Sequence, residues 1–122
     1  MQNMSPNKVI EMVDSVLPNA YREEEKLQWL SDLDGMVQRV AWQLPAEETV
    51  TYSFPEDLDR ELLIPPPFDN VYVLYVRAMI DFHNNELEKY NASAQMFFSR
   101  FEDYKKAYLR ENVPKFTGYV RL

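Results

Sequence analysis

The sequence predicts a mainly α fold: a small bundle of about four helices, interrupted by an irregular proline-rich acidic loop and followed by an extended carboxy-terminal tail. Three observations predict it. Apolar residues recur three and four apart before residue 45 and after residue 69. Only two of the 122 residues are glycine, the residue that serves turns with positive φ. Five of the eight prolines (Pro45, Pro55, Pro65, Pro66, Pro67) gather in one stretch between the helical patterns.

The first helix opens at Ser5-Pro6, where serine caps the amino terminus and proline occupies a position whose N–H would be unpaired anyway. Val9, Ile10, Val13, Val16 and Leu17 share one face, and Pro18 ends the run. A second helix is expected from Asn19 to Leu44, with Glu23, Glu24 and Glu25 at the positive end of its dipole. Leu27, Leu30, Leu33, Val37, Val40, Ala41 and Leu44 make its apolar stripe. Gly35 lies inside that pattern, at a cost of about 1 kcal/mol relative to alanine, and suggests a kink or a close packing contact.

Residues 45–69 read as a loop with seven acidic residues. Within it Val50, Tyr52 and Phe54 alternate with Thr49, Thr51 and Ser53, the period-two pattern of a short β segment. Such a strand needs a partner, either around Leu62 to Ile64 or in a neighbouring subunit. From Asp69 a long helical region begins, apolar on all sides up to His83 and striped beyond it, as expected of a central helix followed by a surface helix. The change coincides with Asn84-Asn85, and Asn85 to Glu88 has the N-x-x-E form of a capping box. Asn91-Ala92-Ser93 is the other candidate break. Pro114 follows the last turn, leaving residues 113–122 as the tail.

Composition excludes several classes of function. The length suits one domain, able to bury a core without disulfides or metals. With no cysteine there is no thiolate nucleophile, disulfide framework or cysteine-based metal site. No apolar run reaches the roughly 18–20 residues of a spanning helix, and the first residues lack the pattern of a secretory leader, so export by that route is not expected. A net charge of −7 argues against clamping duplex phosphates. Two glycines leave no material for a nucleotide-binding loop, and no cofactor is expected.

The candidate chemical clusters read mostly as structure. Asp32-Leu33-Asp34-Gly35 lacks the remaining ligands of a calcium loop and reads as solvated helix surface. His83, the single histidine, has no visible catalytic partner and reads as a packing or capping residue. Tyr90, Phe97, Phe98, Phe101, Tyr104 and Tyr108 recur at core or helix-interface spacing. Phe97 and Phe98 cannot share one stripe, and seventeen aromatics exceed what a small core holds, so some belong on an interface. No catalytic or metal site is nominated. The interface candidates are Glu56, Asp57, Asp59 and Glu61 with Phe54 and Phe68 in the loop, and Phe116, Tyr119 and Arg121 in the tail, which also carries Lys115.

Trp29 to Gly35, Leu62-Leu63-Ile64-Pro65 through Asp69-Asn70-Val71-Tyr72, Ala78 to Phe82, and Asn84 to Asn91 together resemble a family of tailed-phage and prophage structural proteins, the head–tail connectors or adaptors. The resemblance covers most of the chain. It implies a non-enzymatic virion protein made in the bacterial cytoplasm and located in the neck, with residues 1–112 as a helical connector domain, 45–69 as one arm and 113–122 as another. Such a protein forms a homo-oligomeric ring, typically a dodecamer, beneath the portal protein and links it to a stopper or tail-completion protein. DNA would pass through without specific binding, repelled by an acidic channel face. The other reading is a small helical regulatory protein whose aromatic stripe binds a single protein partner.

Overall fold

The computed structural model describes residues 2–112, which form four α-helices: α1 (Pro6–Val16), α2 (Glu23–Met36), α3 (Asn70–His83) and α4 (Leu87–Asn112). A π-helical turn (Val37–Ala41) extends α2, and a single 3-10 turn (Ala46–Glu48) lies in the connection to α3. The expected helical bundle is therefore present.

α1 begins as its sequence dictates, with the Ser5 hydroxyl accepting the Lys8 N–H at 3.2 Å and proline at the first position. Val9, Ile10 and Val13 are buried, whereas Val16, counted on the same face, is exposed. α2 starts at Glu23 rather than Asn19, because Asn19 is used as a turn residue: its Oδ1 accepts the Tyr21 N–H and its Nδ2 donates to Asp14 and the Leu17 carbonyl. The Glu25 carboxylate accepts the Arg22 N–H at 3.0 Å, closing the first turn.

The expected stripe of α2 holds at Leu27, Leu30, Leu33, Val37 and Ala41 and fails at Val40, which is exposed. The wider π turn is the cause. Its i→i+5 bonding advances each residue by less than an α-helical step, which turns Val40 outward, while Gln38 lies inward at the ordinary helical spacing from Ser31 and Asp34. Gly35 does not mark a close packing contact, because a Cβ there would have no neighbour within 4 Å.

α3 is the central helix, burying Val71, Tyr72, Leu74, Val76, Ala78 and Ile80, and it packs most extensively against α4. The two part at Asn84-Asn85, and α4 runs unbroken through Asn91-Ala92-Ser93. No hydrogen bond of the expected Asn85–Glu88 capping box occurs among the described contacts. Asn85 adopts φ 60°, a left-handed turn that ends α3, while the Glu86 carbonyl accepts the Tyr90 N–H and opens α4.

Candidate functional site

The 45–69 segment does not form the expected β segment, and no strand is present among the described residues. Its extended backbone is satisfied by side chains of α2 instead. Gln38 brackets Val50 with both halves of its amide, Oε1 accepting the Val50 N–H at 2.8 Å and Nε2 donating to the Val50 carbonyl at 3.0 Å. The Ser31 hydroxyl accepts the Tyr52 N–H at 3.0 Å. The alternation does not survive as burial either: Tyr52 points in, while Val50 and Phe54, expected on the same side, are exposed.

Asp34 is the centre of this arrangement, and its side chain corrects the expectation of solvated helix surface, since it is completely buried. One carboxylate oxygen accepts the hydroxyl of Tyr52 and the N–H of Leu63, the latter at 3.1 Å. The other accepts the hydroxyl of Tyr72 at 2.6 Å. The Tyr72 oxygen in turn accepts the Ile64 N–H at 2.7 Å. A single carboxylate thus ties both ends of the loop, at residues 52 and 63–64, to α2 and α3.

The electrostatics agree with a clamp. Burial pushes the Asp34 carboxyl above the ordinary carboxylate range, against the pull of the two tyrosine donors and the Leu63 N–H. Burial and the neighbouring Asp34 charge drive both tyrosines far above their ordinary value, so they remain protonated donors. Each phenol proton has a fixed acceptor. The arrangement orders backbone.

A second row of contacts fastens the loop to the amino terminus. The Leu62 N–H donates to the Met4 carbonyl, the Asn7 N–H to the Leu58 carbonyl, and the Asn3 amide to the Leu62 carbonyl. Asp59 accepts from the Asn7 side chain at 2.6 Å and Glu61 from the Asn3 N–H at 3.1 Å. Asp57 folds back on the Ser53 N–H and pairs with Arg60. Arg60 itself lies over the Tyr52 ring, 4.6 Å from its centroid. Glu47, Glu48, Glu56, Asp59 and Glu61 face outward. With seven acidic residues against one arginine, residues 45–69 hold a net −6 of the chain's −7. No cluster of three or more potential ligands for a metal occurs among the described residues.

The remaining interface candidates are scattered. Phe54 is exposed at the loop's tip, whereas Phe68 packs edge-on against Tyr104, with centroids 6.0 Å apart. Phe116, Tyr119 and Arg121 lie outside the described residues. On α4, Phe97, Phe101 and Tyr104 are buried and Phe98 is exposed, as their adjacency requires. Leu87, Phe98 and Leu109, also exposed, recur every eleven residues and so fall on one line along the helix. His83 stacks on Trp29 at 5.5 Å and 10°, and the adjacent Asn84 accepts the Tyr21 hydroxyl at 2.7 Å, pinning the end of α3 to the α1–α2 connection.

Ser31 and Gln38 escaped the sequence reading and Asp34 was read as surface, although their spacing of three and four on the same face as Leu27 and Leu30 was available as a signal. Comparison of the chain with protein-family models, curated proteins and solved structures returns no match.

Proposed function

We propose that the chain is a head–tail connector, or adaptor, of a tailed phage or prophage: a structural subunit that assembles as a ring under the portal and joins it to the next neck or tail protein. The observation that carries this reading is the acidic 45–69 segment, sewn to the bundle by Asp34, Ser31 and Gln38. A loop held at this many points presents its carboxylates as a fixed surface. Repeated around a ring, five outward carboxylates per subunit would line a channel with negative potential, through which DNA passes without adhering. The line of Leu87, Phe98 and Leu109 supplies apolar surface for neighbouring protein.

Sedimentation of the chain with and without its portal protein tests the proposal. A ring-sized species that forms on the portal is the expected result. A chain that stays monomeric beside the portal, yet titrates one other protein stoichiometrically, would replace the connector with the regulatory reading, which the same exposed line on α4 would then serve.

A further inference from the structure

A groove of about 370 Å³ opens where α4 ends, walled by Trp42, Leu63, Pro66, Phe68, Tyr104 and Tyr108. Its aromatic walls are mutually braced: the Trp42 indole N–H donates to the Tyr104 hydroxyl at 2.9 Å, and the Trp42 and Tyr108 rings stack at 6.0 Å. Rigid aromatic and proline faces of this kind suit an extended, proline-containing chain, whose backbone needs no regular partner and whose rings fill the gaps between them.

The position of the groove in the chain identifies its occupant. Glu111 and Asn112, the last two residues of α4, form part of its rim, so the next residue of the polypeptide starts at its lip. The ten residues that follow are Val-Pro-Lys-Phe-Thr-Gly-Tyr-Val-Arg-Leu. A proline at position 114 disfavours helical backbone at the residue before it. Four residues on, Phe116 is within reach, since an extended chain spans about 3.3–3.6 Å per residue. Charge favours the same pairing. The segment has two basic residues and no acidic one, and Glu111 is the one charged residue among those described around the groove.

We propose that this groove is the docking site for the chain's own residues 113–122, held in cis with the Phe116 ring against Trp42 and Tyr108 and Lys115 beside Glu111. Docking of this kind covers the apolar residues of the segment. The inference rests on the chain's own geometry and does not require the connector reading: a protein that ignores the portal could still stow its tail.

Trp42 is the reporter. The full chain has two tryptophans, and Trp29 lies away from the groove, against Tyr21 and His83. Isotope-labelled full chain gives two indole N–H resonances, assigned with Trp42→Phe. Phe116→Ala, a change outside the core described above, should shift the Trp42 resonance towards its solvent-exposed position and leave that of Trp29 in place. The wild-type Trp42 resonance should hold its position on serial dilution. An unmoved Trp42 resonance in Phe116→Ala overturns the proposal. A wild-type resonance that reverts on dilution also overturns it, assigning the groove to the tail of a second copy.

Discussion

The Tyr72 hydroxyl donates to Asp34 at 2.6 Å while accepting the Ile64 N–H at 2.7 Å, so one phenol joins α3, α2 and the loop. Removing that oxygen has two consequences. Asp34 loses a charge-assisted donor, and a buried N–H loses its acceptor. Tyr72→Phe should therefore destabilise the fold by about 2–4 kcal/mol. Tyr52→Phe removes a donor but orphans no N–H, because the Tyr52 hydroxyl serves only Asp34 among the described contacts, and should cost less. Chemical denaturation of the two variants checks the order as well as the size.

Asp34→Asn keeps the shape and removes the charge. An amide has one acceptor oxygen where the carboxylate had two, and its NH2 would face groups that are themselves donors. A loss of about 1–3 kcal/mol at neutral pH is expected. The pH dependence is diagnostic. Burial raises the folded carboxyl above its unfolded value, so the folded chain holds the proton more tightly. The corresponding stabilisation is complete below the unfolded value, about 3.9 for aspartate, and is lost as pH rises through the higher folded one. The stability gap between wild type and Asp34→Asn should therefore narrow as pH rises across that window, as denaturation at a series of pH values would show. A gap that widens upward would mean that the tyrosine donors outweigh burial.

Gly35 sits in the α2 interior with open space where a side chain would project. Nothing in its surroundings requires the missing Cβ. Gly35→Ala should raise stability by about 0.5–1 kcal/mol, through the reduced freedom of the unfolded chain. Thermal unfolding of this variant is a direct check, and a lowered midpoint would imply that the π turn two residues later needs the glycine's freedom.

The helices were legible in the sequence because packing and propensity agree there: Ser5-Pro6, the Leu27-Leu30-Leu33 stripe and the all-round apolar character of α3 each specify the observed element. The loop was legible as an irregular segment, but its anchoring was not. Val50-Tyr52-Phe54 has strand alternation, yet only Tyr52 is buried, and the alternation says nothing of what accepts the backbone bonds. Here Ser31, Asp34 and Gln38 accept them, three polar residues whose type suggests solvent and whose helical spacing puts them in the core. The π turn was hidden for a different reason. It breaks the 3.6 period after Val37, and no proline or glycine in Val37–Ala41 announces it.

Lys26 presents the reverse of Asp34, a buried cation with a half-open partner. Its side chain is 3% exposed and meets Asp14 at 2.8 Å, while Asp14 is 43% exposed. Breaking such a pair from the carboxylate side strands the ammonium, whereas replacing the lysine with an apolar chain of similar length removes the desolvation penalty together with the bond. Asp14→Ala should cost about 1–3 kcal/mol, reduced from the fully buried case by the water around Asp14. Lys26→Met should stay within about 1 kcal/mol of wild type. Equal losses in the two variants, measured by urea denaturation, would contradict the asymmetry.

Charge in the loop gives the connector proposal a consequence that is independent of stability. Glu47, Glu48 and Glu56 are exposed and their side chains make no hydrogen bond or ion pair among the described contacts, so reversing them to lysine leaves the Asp34 clamp untouched. The triple change moves the 45–69 segment from a net −6 to 0, since each reversal adds two units. If that segment faces the channel, the assembled ring should still form but should now retain duplex DNA at low salt and release it as salt rises, because phosphate contacts give up their counterions on binding. Retention of labelled DNA by the portal-bound ring, measured at several salt concentrations, is the check. Rings that form normally and remain indifferent to DNA at low salt would place the acidic segment on the outer rim, facing protein rather than the channel.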